Sequence, residues 1–134
     1  MSNPYNNLLT KHSLTPAART ASANGTGVDR AVSGSLFQDA LIVISTGTVT
    51  DGTHTFEVQD SADNSTFAAV ADAYLQGAEP AVTSSNDETV YEIGYLGDKR
   101  YVRVITTVAS ATTGGLYSAA VVLANPRVAP VVRS

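Results

Sequence analysis

The chain contains neither cysteine nor tryptophan. Without thiols there are no disulfides, no thiolate zinc sites and no cysteine nucleophile. Lysine and arginine together supply only 8 of 134 residues. Non-specific nucleic-acid binding needs cations clustered on the folded surface, so no nucleic-acid partner is expected. The apolar runs, such as Ala40 to Ile44, fall far short of the ~20 residues of a membrane helix. The N-terminal MSNPYNNLLTKHSLTPAART has no apolar segment of the kind a secretory signal carries. The sequence therefore reads as a soluble protein with no membrane anchor or membrane partner, and a chain without thiols suits assembly in a reducing cytoplasm. Helical periodicity is also missing: no amphipathic 3.6-residue pattern persists for more than about two turns.

What is present is alanine, valine, threonine and serine, which make up close to half of the chain. Branching at Cβ restricts rotamers in a helix and suits a pleated surface, so the Val and Thr content favours strands. The net charge of −4 is unevenly placed. Residues 31–124 hold Lys99, Arg100 and Arg103 against eleven carboxylates, whereas Lys11, Arg19, Arg30, Arg127 and Arg133 lie toward the ends. An acidic body with basic ends is poorly suited to coating nucleic acid and leaves the ends able to meet an acidic partner.

Strand-like segments recur at short spacing. Gly27–Val32 is a weak first strand and ALIVISTGTV, residues 40–49, is an apolar one expected to be buried on both faces at its start. An Asp51-Gly52 pair between two strand-like runs marks a hairpin, because glycine takes positive φ without steric cost. In residues 53–59, His54, Phe56 and Val58 fall on one face and Thr55, Glu57 and Gln59 on the other. Further strands are expected at 67–71, 89–95, 101–108 and 116–123. About seven short strands with turn signals every eight to twelve residues predict an all-β fold, an antiparallel β-sandwich or jelly-roll-like barrel.

The ends show no such period. Residues 1–25 carry Pro4, Pro16, the Asn6-Asn7 pair and TASANGTG, and read as an extended N-terminal arm. Residues 26–124 form the expected β-sandwich domain. NPRVAPVVRS, with Pro126 and Pro130, reads as an extended C-terminal tail from 125 to 134. The apolar anchors Leu8, Leu9 and Leu14, with Arg19, are the expected partner contacts of the arm, and Arg127, Val128 and Val131 those of the tail.

Chemical constellations are thin. Asp60, Asp63 and Asn64 lack the central glycine and closing glutamate of a calcium loop, and Asp, Asn and Ser close turns on their own backbone. His12 and His54 are far apart, with no carboxylate at helical spacing to make a metal site or a catalytic base. Val32-Ser33-Gly34-Ser35 lacks the glycine pattern of a nucleophile elbow. Gly25–Gly27 and Gly114-Gly115 lack the lysine and helix of a phosphate loop. No cofactor and no catalytic residue is expected. Tyr91, Tyr95 and Tyr101 near Lys99, Arg100 and Arg103 combine aromatics with arginine, a composition found at interaction hot spots and at surfaces that stack on sugars or bases. Of these, Tyr91, Tyr95 and Arg103 are taken as partner-binding candidates.

Three stretches, DGTHTFEVQDSADNSTF, YEIGYLGDKRYVR and ANPRVAP, resemble a group of small proteins encoded among the head genes of tailed bacteriophages. There a DGT-led hairpin is followed by a G-Y-x-G-x-KRYVR strand and a terminal P-R-x-A-P segment. The resemblance covers about two-thirds of the chain and omits the first residues. It implies a virion protein, a capsid decoration (cement) protein on the exterior of the head. Its partners would be the major capsid protein and neighbouring copies of itself, as a trimer or dimer. The alternatives are a carbohydrate-binding β-sandwich and a component of the head-tail junction or tail.

Overall fold

The computed structural model describes residues 3–131. The expected arm and tail reach beyond this range at both ends, and residues 1–2 and 132–134 lie outside it. Alternation of branched apolar with polar residues produces two antiparallel sheets that face each other as a sandwich. A short helix, α1 (Pro4–Asn7), leads into eleven strands: β1 (Leu8–Arg19), β2 (Ala23–Asn24), β3 (Val28–Asp29), β4 (Phe37–Val49), β5 (Thr53–Ser61), β6 (Ala68–Ala69), β7 (Leu75–Gln76), β8 (Ala81–Val82), β9 (Val90–Tyr95), β10 (Tyr101–Ala109) and β11 (Gly115–Pro126). The first sheet has the order β1-β11-β4-β9-β7. In the second, β10 and β5 pair centrally, flanked by β2 and β3 on one side and β6 and β8 on the other. The sheets do not close on each other, so the fold is a sandwich and not a barrel.

The core follows the period of two. Ile42 and Ile44 of β4, Phe56 and Val58 of β5, Ile93 of β9, Val102 and Val104 of β10, and Ala119, Val121 and Leu123 of β11 are buried between the sheets. Tyr117 and Phe56 meet edge to face, with ring centroids 5.0 Å apart. His54 belongs to this interior too. Its Nδ1 lies 2.8 Å from the Tyr117 hydroxyl and its Nε2 3.1 Å from the Asp51 carbonyl oxygen. Both polar atoms are thereby satisfied, which burial requires.

The Asp51-Gly52 turn forms as the sequence predicts, with Gly52 at φ +84. A Cβ there would stand 2.7 Å from that of Ala111 and 2.9 Å from the Ala109 carbonyl oxygen, so the two neighbouring turns meet through this glycine. Asp51 ties them together, its carboxylate accepting from the backbone N–H groups of Thr112, Thr113 and Gly114. The acidic corner at residues 61–66 is closed in the same way: Asp63 Oδ1 accepts from the Ser65 and Thr66 N–H groups, each at 3.0 Å.

The arm is the principal correction. Residues 8–19 are not an extended segment but strand β1, paired antiparallel with β11 from Leu8–Ala124 to Arg19–Gly115. Leu9 and Leu14, expected to anchor a partner, are 6% and 2% exposed and belong to the chain's own core. Ser13 fixes the strand to the opposite sheet: its Oγ accepts from the Val104 N–H at 2.9 Å and donates to the Thr26 carbonyl at 2.9 Å. No domain boundary falls near residue 25, and the sandwich runs from β1 to β11. The tail is corrected likewise, since β11 continues to Pro126 and Val131 is buried, its N–H donating to the Asn6 carbonyl at 2.9 Å.

Truncating a buried leucine leaves a cavity, so Leu14→Ala is expected to lower unfolding free energy by about 2–5 kcal/mol, read from urea denaturation. A change below ~0.5 kcal/mol, typical of surface sites, contradicts the placement of β1 in the core.

Candidate functional site: a basic groove at one end of the sandwich

The loops 29–36, 96–100 and 125–128 converge at one end of the sandwich. β3 ends at Asp29, and the backbone of Arg30 is held on both sides, its N–H donating to the Arg100 carbonyl and its carbonyl accepting from the Phe37 N–H, each at 2.8 Å. Pro126 ends β11, after which the N–H groups of Arg127 and Val128 donate to the Ser35 carbonyl at 3.0 and 3.1 Å. Between these loops lies an open groove of about 590 Å³, whose walls include Arg30, Leu36, Asp98, Arg100 and Arg127.

Three guanidinium groups meet here in different states. Arg100 is neutralised by a bidentate pair with Asp29, Nε to Oδ1 at 2.7 Å and Nη2 to Oδ2 at 2.9 Å. The pair holds the Asp29 carboxyl below the usual range, with partial burial opposing and the Ala31 N–H assisting, and it raises Arg100. Arg30 lies over the Tyr95 ring, 5.3 Å from its centroid, and donates from its two Nη atoms to the Lys99 and Gln38 carbonyls at 2.7 Å each. Its Nε is buried and has no hydrogen-bond partner among the described residues. Neither Arg30 nor Arg127 has a carboxylate partner among the described residues. The groove thus carries two guanidinium groups outside any ion pair, with Asp98 as a carboxylate in the same wall.

Apolar surface adjoins them. Leu36 is 46% exposed at φ +54, a left-handed conformation uncommon for a residue with a Cβ. Val128 is 54% exposed. Guanidinium groups outside any ion pair, beside exposed aliphatic side chains, suit a carboxylate-bearing chain with an apolar neighbour, since arginine binds carboxylates through a planar fork of donors.

Of the residues expected from sequence, Arg127 lines this groove, and Val128 follows it on the loop held to Ser35. Tyr95 lies beneath it, buried, donating to Asp60 Oδ2 at 2.7 Å and accepting from the Lys99 N–H at 3.1 Å. Burial first, then the bond to Asp60, pushes its hydroxyl well above the ordinary tyrosine range. The others are dispersed, and the tyrosine grouping is not assembled. Tyr91 bonds the Asn86 carbonyl, while Tyr101 pairs within β10 beside Arg100, whose guanidinium stands 5.2 Å from its ring centroid. Arg103 occupies the outer face of the second sheet, 4.0 Å from the Phe67 centroid and bonded to Gln59 Oε1. Arg19 lies over Tyr117 and donates to the Thr15 and Tyr117 carbonyls at 2.8 and 3.1 Å. Leu8, 36% exposed, lies on the outer face of the first sheet. Sequence reasoning missed Arg30 and Leu36. The only available signal was the excess of basic groups near the chain ends.

Among the described residues, no group of three or more His, Asp or Glu side chains is arranged to hold a metal ion. Compared with known proteins, the chain matches no family model and no curated sequence.

Because the folded pKa of Asp29 is depressed, its contribution to stability is complete above the unfolded value of about 3.9 and disappears as pH falls through the lower folded value. Asp29→Asn is therefore expected to lower the urea midpoint at pH 6, with the gap to the parent closing below about pH 4. A gap of constant size down to pH 2 contradicts the Asp29–Arg100 pairing.

Proposed function

We propose that the chain is a non-enzymatic structural protein of a virus particle, a decoration protein on the exterior of a tailed-phage head that binds the major capsid protein through the basic groove. One observation carries the reading. The two most specific segments of the phage resemblance, KRYVR at 99–103 and PRVAP at 126–130, are distant in sequence yet contribute Arg100 and Arg127 to the same groove. A shared docking site gives both segments a common purpose that separate structural roles do not.

The physical logic suits a shell. A decoration protein needs a rigid body and a localised contact, repeated over many equivalent positions so that modest individual affinities suffice. Arg30 and Arg127 supply charge that an acidic segment of the capsid subunit neutralises, with Leu36 and Val128 covering an adjacent aliphatic side chain. The remainder of the body is acidic, which keeps decorated particles apart.

The Arg127 side chain makes no hydrogen bond within the described residues, so its reversal leaves the fold unstrained. Arg127→Glu is expected to weaken binding to head shells assembled from the major capsid protein at least tenfold, about 1.4 kcal/mol, while the urea midpoint is unchanged. The measurement is co-sedimentation with shells that lack their decoration protein. Undiminished occupancy by the variant overturns the groove as the docking site, and failure of the parent to bind any shell overturns the virion assignment.

A further inference from the structure

The outer faces of the two sheets differ in kind. On the second sheet, the outward positions are Thr53, Thr55, Glu57 and Gln59 of β5 and Tyr101, Arg103, Ile105 and Thr107 of β10, polar or charged at all but Tyr101 and Ile105. On the first sheet, the outward positions of β4 are Leu41, Val43 and Ser45, with the carboxylate of Asp39 at the end of the face, and those of β11 are Leu116, Ser118, Ala120, Val122 and Ala124. Outward on β9 are Val90, Glu92 and Gly94. The apolar run Ala40–Ile44 is thus half core and half outer surface. Beside it lies a groove of about 530 Å³ lined by Leu8, Leu41, Leu96 and Val122, among others.

The register arranges these side chains in rows. One row reads His12, Ala120, Val43, Glu92 across β1, β11, β4 and β9, and the next reads Thr10, Val122, Leu41, Gly94. Each row has its aliphatic pair in the middle, and the first has a hydrogen-bond donor at one end and a carboxylate at the other. Three strand spacings separate His12 from Glu92, about 14 Å, too far for a contact within one chain.

We propose that this face binds the same face of a second copy of the chain, in an isologous dimer. A two-fold axis parallel to the strands and midway between β11 and β4 turns each row end for end. Val43 then meets Ala120, Val122 meets Leu41, and His12 of each copy meets Glu92 of the other, so the carboxylate in these rows meets a hydrogen-bond donor twice over. The exposed leucines at opposite corners, Leu8 and Leu96, are brought toward each other by the same rotation. Two sheets packing face to face in near alignment is the ordinary geometry of β-sandwiches. Four strands wide and four rows long, the face measures about 19 by 27 Å. Two copies together bury about 1,000 Å², the size of a weak, reversible interface. The face and the basic groove adjoin but share no lining residue, so the dimer does not depend on the virion assignment.

Sedimentation equilibrium of the full chain tests the proposal. The parent is expected to show twice the 13.9 kDa chain mass at micromolar concentrations, and Val43→Lys to shift the midpoint of dimerisation at least tenfold higher while retaining the parent's circular dichroism. His12→Asp and Glu92→Lys are each expected to weaken the dimer, and the double variant to recover most of the loss, since the exchanged charges meet again across the axis. A monomer at all concentrations to about 1 mM, a dimer indifferent to Val43→Lys, or a double variant no better than the singles overturns it. Should the parent be monomeric while the face is protected only on capsid shells, the occupant is the capsid subunit and the self-contact is wrong. A dimer that binds no shell sinks the virion assignment and leaves the self-contact standing.

Discussion

One hydroxyl holds the sandwich closed along the β1 side. Ser13, 4% exposed, sits on a strand of the first sheet and bonds the backbone of the second, accepting from Val104 and donating to Thr26. Its own carbonyl accepts from the Thr26 N–H at 2.7 Å, and the adjacent Gly25 N–H reaches the Val104 carbonyl at 2.9 Å. The approach is close enough that a Cβ at Gly25 would overlap both Ser13 and the Val104 carbonyl oxygen. Backbone groups that a sheet edge would leave to water are satisfied by this crossing, and Leu9 and Leu14 on either side of it are committed to the core.

Once β1 belongs to the body, the way such a protein can meet its neighbours changes. An arm gains affinity by spanning subunits and loses conformational entropy when it orders. A fixed surface loses little on binding, and its specificity is written in the positions of a few side chains. The chain offers two such surfaces: an end where guanidinium groups stand beside Leu36 and Val128, and a flat face where aliphatic rows replace the usual polar ones. Both surfaces sit on a body held rigid by two sheets, so the proposed capsid contact and the proposed self-contact need no reorganisation of either.

Much of the fold was legible. The alternation in residues 53–59, the Asp51-Gly52 turn and the apolar strands β4, β10 and β11 appear in the structure close to where their patterns place them. β1 was illegible for a stated reason: irregularities between His12 and Leu14 and between Leu14 and Ala17 shift its register. They bring the inward positions out of step, so no period of two survives, and Pro16 argues against a central strand although an edge strand tolerates it. The two-residue strands β2, β3, β6, β7 and β8 carry too few residues to show a period at all. At the candidate site, Arg127 and Val128 were found through composition, whereas Arg30 enters only because β3 pairs with β10 and brings residues 30 and 100 together. The run at residues 40–44 was expected to be buried on both faces, but only Ala40, Ile42 and Ile44 enter the core, while Leu41 and Val43 face outward and are half-buried.

The central claim is that the N-terminal segment is structural and that function resides in fixed surfaces. Amide hydrogen exchange of the free full-length chain tests it most directly. Residues 9–14 are expected to exchange as slowly as residues 119–123 of β11, within the protection of the global unfolding free energy. Exchange of residues 9–14 at the rate of an unstructured peptide, with β11 still protected, would contradict it.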